Sequence, residues 1–347
     1  MSTEKAIPDD RKAFYDEIRP HNMAPLWEVL HALVAKEPVS PVQTVRWRYD
    51  DVRSYVMASA DLITAKEAER RVLILENPGL PGQSAVTQSL YAGLQLIMPG
   101  EIAPCHRHTQ CALRFVMEGD GAYTAVDGER AIMKEWDLIL TPSWQWHDHG
   151  NESDGPMVWL DGLDIPTIRF FDASFAQQGN DEYQLDRRPP GDSRKRFGSN
   201  MLPVGFEAPT KSSPVFHYPY SEYREALEQM RGGTEWDPNL GLKLQFINPA
   251  DGGPVMPTIA AFVQMLPKGF KTAGYRATDS MVVTVVEGTG KVSIGDVTYD
   301  LKPRDIFVIP SWHRHEFEAQ DDLVLFVYSD KGMQEKLGIW NEQRDSA

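Results

Sequence analysis

PGEIAPCHRHTQCALRFVMEGDG, residues 99–121, and WDLILTPSWQWHDHGN, residues 136–151, bring three imidazoles into a β-rich context. His106 and His108 are two apart, so on a β-strand both side chains leave from the same face and can share one target. That target is expected to be a metal ion, with His147 closing the set from a neighbouring strand. Imidazole suits iron, zinc, copper or nickel, and ligand type alone does not choose among them. His149 follows His147 by two, which turns it toward the same pocket or leaves it capping a loop. Arg114 sits inside the apolar run ALRFV. A guanidinium there needs an anion, either a carboxylate of the fold or a bound substrate.

Working outward, short β-type runs surround this stretch: LYAGLQLIM, ALRFVMEG, AYTAVDGERAIM, DLILTP and MVWLDGLDI, separated by Gly, Asp and Pro. Close spacing without long intervening helices predicts a sandwich or barrel. The pattern returns later in the same order. EGDGAYTAVDGE at 118–129 is matched by EGTGKVSIGDVT at 287–298, and LILTPSWQWH at 138–147 by FVIPSWHRH at 307–315, as in an internal duplication. Counted back from Glu287-Gly288, the positions of His106 and His108 become Tyr275 and Ala277. The second copy keeps only His313 and His315, which predicts that it binds no metal.

The expected division is therefore a mainly helical segment over 1–70, a first barrel over 71–166, a connector with a helix over 167–240, a second barrel over 241–330 and a terminal helix with a loose end over 331–347. In the first segment, Leu26, Trp27, Leu30, Leu33 and Val34 make a helical apolar stripe behind Pro25, and Thr64 and Glu67 have capping-box spacing. In the connector, a helix over 221–231 ends at Gly232-Gly233. Its basic residues Arg187, Arg188, Arg194, Lys195 and Arg196 read as a solvated or subunit-facing loop. Trp144 and Trp146 read as barrel packing.

With 347 residues, 41% hydrophobic and 24% charged, the chain has the composition of a globular protein. A formal charge of −15 opposes a nucleic-acid surface. Two cysteines, Cys105 and Cys111, exclude a disulfide framework and suit a reducing compartment. Cys105, beside a candidate ligand, is an oxidation candidate. No signal-peptide core or membrane span is evident, and a cytoplasmic location is expected.

Gly100, the His-x-His pair, Gly119, Pro142, Trp144, His147 and Asn151 resemble the two motifs of the cupin superfamily. The resemblance implies an all-β-dominated bicupin: two double-stranded β-helix (jelly-roll) barrels with N-terminal and linker helices. Cupins often carry a Glu after the His pair, and its place here is Ala112, so three histidines stand without a carboxylate. The finer match, PGEIAPCHRHTQCALRFVMEG with TPSWQWHDHGNE in a duplicated chain, resembles the gentisate 1,2-dioxygenases and their salicylate and 1-hydroxy-2-naphthoate relatives. That likeness implies one Fe(II) per chain on His106, His108 and His147, with Arg114 and His149 catalytic and Arg114 holding the substrate carboxylate. It places Gln95, Asp161, Tyr91, Gly93 and Arg70 around the substrate and implies a homotetramer. The implied reaction opens gentisate between C1 and C2 with O2 to give maleylpyruvate. The chemistry agrees: three neutral ligands leave the full metal charge, and an acid chelating through its carboxylate and ortho oxygen supplies the missing negative charge. A non-catalytic metal-containing cupin that binds a small carboxylate, or another metalloenzyme such as an isomerase, fits the same barrel.

Overall fold

A computed structural model describes residues 8–199, 201–233 and 235–346. The polar stretch 1–7 at the start of the chain lies outside the described residues. Among them, no helix is long and apolar enough to cross a membrane.

Residues 8–39 form a compact unit of their own. It holds helices Asp9–Ile18 and Leu26–Leu33, linked by the short turn Arg19–His21. Trp27 Nε1 donates to Tyr15 Oη at 2.8 Å. The stripe Leu26, Trp27, Leu30, Leu33 and Val34 forms, but all five side chains are exposed.

The unit from Ser40 onward consists of antiparallel sheets arranged as two copies of one plan. In the first copy a six-stranded sheet runs, in spatial order, Val72–Ile74, Tyr91–Ile97, Met157–Leu163, Ala112–Glu118, Leu138–Thr141 and His217–Tyr218. In the second it runs Leu242–Gln245, Ala260–Leu266, Leu323–Ser329, Met281–Glu287, Ile306–Ile309 and Arg46–Trp47. Each copy adds a five-stranded sheet. The first contains Ala176–Gln178, Ile102–His108, His147–Asn151, Ala122–Val126 and Glu129–Ile132. Glu342–Arg344, Tyr275–Ala277, His315–Ala319, Gly290–Ile294 and Val297–Leu301 repeat that order. Two features depart from a chain cut into consecutive blocks. Arg46–Trp47, ahead of the first barrel, pairs with Ile306–Phe307 of the second, whereas His217–Tyr218 of the connector pairs with Leu138–Ile139 of the first. The C-terminal end is also not loose: Glu342–Arg344 pairs with Tyr275–Ala277. That edge offers unpaired backbone groups, and a short polar strand satisfies them.

Because strand side chains alternate, each six-stranded sheet has one face for its own barrel and one for the other barrel. On the shared faces Phe115 stacks on Phe326, with ring centroids 3.9 Å apart and planes within 2°. Gly162 and Tyr328, equivalent in the two copies, meet there; a Cβ on Gly162 would lie 2.8 Å from the Tyr328 ring. The result is one apolar core that crosses from barrel to barrel. Two equivalent aspartates tie the same junction. Asp164 accepts from the Cys111 amide at 2.9 Å and the Thr258 hydroxyl at 2.5 Å. Asp330 accepts from the Ser280 amide at 2.9 Å and the Ser89 hydroxyl at 2.6 Å.

Local signals account for the smaller elements. The capping box of Thr64 and Glu67 is present, yet its helix covers only Ala65–Ala68 because Glu69 turns out with φ +53°. The connector helix spans Tyr220–Arg231. The basic cluster is largely neutralised: Arg188 pairs with Asp127 at 2.6 Å, Arg196 with Asp192 at 2.7 Å, and Arg194 with Glu222.

Candidate active site

Strands Ile102–His108 and His147–Asn151 are adjacent and place His106 opposite His147. With His108 two residues on, the three imidazoles converge: ring centroids lie 4.1, 4.8 and 5.3 Å apart, and one nitrogen from each fits within 4.8 Å of the others. Backbone carbonyls orient every ring. The Nδ1 of His108 lies 2.9 Å from the Gln110 carbonyl, that of His147 2.9 Å from the Gln145 carbonyl, and that of His106 3.2 Å from the Pro104 carbonyl. A proton held on Nδ1 by a carbonyl leaves the Nε2 lone pair for a metal. His147 Nε2 is buried with no hydrogen-bond partner. Burial, reinforced by neighbouring cations, lowers the pKa of His106 to about 2 and of His108 to about 4, and lowers that of His147 as well. Neutral imidazoles with converging lone pairs are the donor set a divalent metal needs.

His149 faces the same interior, its ring 5.7 Å from that of His147 and 5.9 Å from that of Trp159. Its Nδ1 lies 2.9 Å from Thr124 Oγ1, and the same hydroxyl is 3.3 Å from Met133 Sδ. If the hydroxyl proton is directed to sulfur, the oxygen accepts from His149 Nδ1–H, and Nε2 is left as an unprotonated nitrogen. That Nε2 is buried without a partner, and burial beside Arg114 and Arg70 holds the ring neutral.

Arg114, Asp161 and Gly93 are opposite one another on three adjacent strands, with Gln95 opposite Trp159 one step along. Arg114 Nε lies 3.5 Å from Asp161 Oδ1, and its Nη1 donates to Thr141 Oγ1. Trp159 Nε1 donates to the same Asp161 oxygen at 3.0 Å. The two open readings of Arg114, fold carboxylate or bound anion, thus both have a basis: it has an internal partner in Asp161, yet Nε makes no hydrogen bond. Burial raises the Asp161 pKa to about 6 against the pull of Arg114. Arg70 Nη2 donates to the Pro104 carbonyl at 3.0 Å, and the same nitrogen lies against both ring nitrogens of His106, Nδ1 and, at 3.0 Å, Nε2. Tyr91 folds over Gly93: a Cβ there would meet the phenol oxygen at 2.8 Å and Val72 at 2.5 Å. The pocket therefore holds two guanidiniums, one carboxylate and no carboxylate among the three candidate ligands, which is a setting for an anion.

Three side chains of this site escaped sequence reasoning: Thr124, Thr141 and Trp159. Thr124 and Thr141 are signalled only by strand register, opposite His149 and Ala112, whereas Trp159 also stands two residues before Asp161 on one strand. Trp144 and Trp146 are half-buried at the rim instead of in the barrel core, with the Arg107 guanidinium 4.4 and 4.6 Å from their rings. Cys105 is buried, and burial raises its thiol to about 11, which disfavours the oxidisable thiolate. A cavity of about 580 Å³ is lined by residues such as Arg194 and His217 and by none of the three clustered histidines.

The barrels and the three-histidine cluster define a bicupin with one metal-type site among the described residues. The Cupin domain family matches residues 93–163 and 262–328. The chain belongs to the gentisate 1,2-dioxygenase family of ring-cleaving dioxygenases. It is 55% identical to gentisate 1,2-dioxygenase 1 of Aquipseudomonas alcaligenes, over 99% of both chains. It is 35% identical to a 5-aminosalicylate 1,2-dioxygenase of Comamonas sp, over 100% of this chain and 94% of the relative. Salicylate 1,2-dioxygenase from Pseudoaminobacter salicylatoxidans, solved as adducts with gentisate, superposes with a TM-score of 0.92 at 31% identity, over 100% of this chain and 97% of that one.

Proposed function

We propose that this chain opens gentisate between C1 and C2, incorporating both atoms of O2 to give maleylpyruvate, with one ferrous ion held by His106, His108 and His147. The observation that carries this reading is the convergence of three neutral imidazoles without a carboxylate, beside Arg114 and Arg70. Residues 71–166 are then the catalytic barrel and 241–330 a metal-free one, flanked by the segments 1–70, 167–240 and 331–347.

A bound ferrous ion supplies a Lewis-acid and redox centre at which an aromatic acid and O2 meet. The chain's own residues do the rest. Arg114 and Arg70 bind the substrate carboxylate, whose charge the ligand set does not provide. Asp161, held by Trp159, keeps the Arg114 fork aimed inward. His149 Nε2, with its lone pair exposed to the pocket, accepts the proton of a substrate hydroxyl and returns it as the ring opens. Gln95 and Tyr91 bound the ring, and Gly93 leaves the space in which Tyr91 lies. Neutral His149 suits this role because it starts as a base. We further infer a cytoplasmic homotetramer. The exposed stripe from Leu26 to Val34 is the kind of surface that subunit contact buries.

The test is anaerobic loading with Fe(II), followed by O2 uptake with gentisate, salicylate and 1-hydroxy-2-naphthoate, and product analysis. Gentisate is expected to be consumed fastest, because its para hydroxyl enriches the ring in electrons. Faster turnover of either other acid would reassign the substrate. Metal binding without O2 uptake on any of the three would leave a carboxylate-binding cupin, and an isomerised product would indicate the other enzyme class.

A further inference from the structure

The second barrel repeats the plan of the first with a different filling. Strand register puts Phe262 where the first barrel has Gly93, Met281 where it has Ala112, Val283 where it has Arg114, and Val327 where it has Asp161. These side chains close the interior into an apolar core of its own. Above that floor a cavity of about 320 Å³ remains at the mouth, within the size range of small-ligand sites.

Its walls are aromatic and its charge is cationic. Phe262, Tyr275 and Trp340 face it, and Lys243, Lys331 and Arg344 oppose only Asp279 and Glu342. Most of these charges are already engaged. Arg344 binds Glu342 at 2.9 Å and Asp237 at 2.6 Å, and Tyr275 donates to Glu342 at 2.8 Å. Asp279 accepts from the Trp340 indole at 2.9 Å. Lys331 lies 3.9 Å over the Trp340 ring and 3.7 Å from Glu335. Lys243 differs: among the described residues its ammonium has no carboxylate within ion-pair distance, and its contact is the Phe262 ring at 4.8 Å. Lys331 approaches that same ring at 6.0 Å. Two ammonium groups over one ring repel each other, and Asp279 and Glu342 act on Lys243 only from beyond ion-pair distance. Burial accordingly draws the Lys243 pKa down to about 8.

We propose that the mouth of the second barrel is a separate binding site for a small aromatic monocarboxylate, its carboxylate on Lys243 and Lys331 and its ring between Phe262, Tyr275 and Trp340. The carboxylate would give Lys243 the ion-pair partner it lacks among the described residues, and a benzoate-sized ring matches the three aromatic walls. The site requires neither metal nor turnover, so it stands apart from the reaction in the first barrel.

Two measurements test it, both on the whole protein. Crystals soaked with 4-bromobenzoate are expected to show anomalous bromine density in the second mouth, with the carboxylate within hydrogen-bond distance of Lys243. Calorimetric titration with benzoate is expected to resolve a site whose affinity falls at least about tenfold in Lys243→Met and less in Lys331→Met. Lys243→Met places an apolar chain beside Phe262 and Met281; should it fail to fold, the bromine density in the unaltered protein and Lys331→Met decide. The proposal is overturned by a second mouth empty of bromine, by unchanged affinity in the variants, or by acetate competing as well as benzoate for that site.

Discussion

The roles proposed for Arg114 and His149 rest on contacts that can be removed one at a time. Arg114 has an internal partner in Asp161 but an Nε without a hydrogen bond. Truncating it to Ala is expected to weaken gentisate binding by an amount on the order of 2–5 kcal/mol while iron content stays near normal. Unchanged saturation with gentisate would show that Arg114 serves only Asp161. His147→Ala is expected to lose iron and activity together, because it removes a ligand from a neutral set of three. His149→Ala should keep its iron and turn over slowly; metal analysis separates the two, and an iron-free His149→Ala protein would reverse the assignment. Thr124→Val deletes the acceptor 2.9 Å from His149 Nδ1 with little change in volume. It is expected to retain iron, lower kcat about tenfold and displace the acidic limb of the pH–rate profile, since the ring then shares its proton between both nitrogens. A profile and kcat like those of the parent protein would make Thr124 a packing residue.

The turns that follow strands Met157–Leu163 and Leu323–Ser329 carry the reciprocal aspartates, Asp164 and Asp330, that bridge the barrels. Burial raises both to about 6 from an ordinary value of 3.8. With the folded pKa above the unfolded one, the folded state holds protons more tightly between about pH 4 and 6. Stability therefore declines as pH rises through that window, by on the order of 2–3 kcal/mol per carboxylate, and is fully regained only below the unfolded value. An amide in the double variant Asp164→Asn, Asp330→Asn still accepts from the backbone amides and donates to the Thr258 and Ser89 hydroxyls. Thermal unfolding of that variant should show a flatter slope from pH 4 to 6 and a higher midpoint at pH 7. A slope identical to that of the parent protein would mean that the latches do not titrate.

Across the whole molecule, duplication has been put to unequal use. Both barrels keep the same sheet order, the same left-handed tryptophan (Trp144 and Trp312, φ 64° and 62°) and the same arginine over it, Arg107 at 4.4 Å and Arg276 at 4.6 Å. Tyr275 lies opposite His315 as His106 lies opposite His147. His315 is packed against Tyr275 and Phe317, and its Nδ1 lies 3.2 Å from the His313 carbonyl. One equivalent of iron per chain is expected, unaffected by His315→Ala. Two equivalents, with one lost in that variant, would place a metal in the second barrel. Each barrel also borrows an edge strand from the segment preceding the other, so separately expressed halves would each lack one strand of a six-stranded sheet.

The three-histidine cluster, the duplication and the register of the second copy were legible in the chain itself. Period-two alternation sets which side chains share a face, and a His-x-His pair beside glycine and proline turns carries that face in a few consecutive residues. Counting from Glu287-Gly288 put Tyr275 and Ala277 at the histidine positions, and the Tyr275–His315 pairing agrees. Other features depend on which strands become neighbours. Thr124 against His149 and Thr141 against Arg114 are cross-strand relations that no local spacing encodes. The exchange of Arg46–Trp47 and His217–Tyr218 is hidden for the same reason: an edge strand is chosen by open backbone hydrogen bonds, not by its own two residues. The rim position of Trp144 and Trp146, the anchored C-terminal strand and the cavity around Lys243 likewise appear only when the sheets close. Sequence dictates the face a residue presents along its own strand, whereas tertiary structure decides what stands opposite it, because pairing is set by the packing of all the strands together.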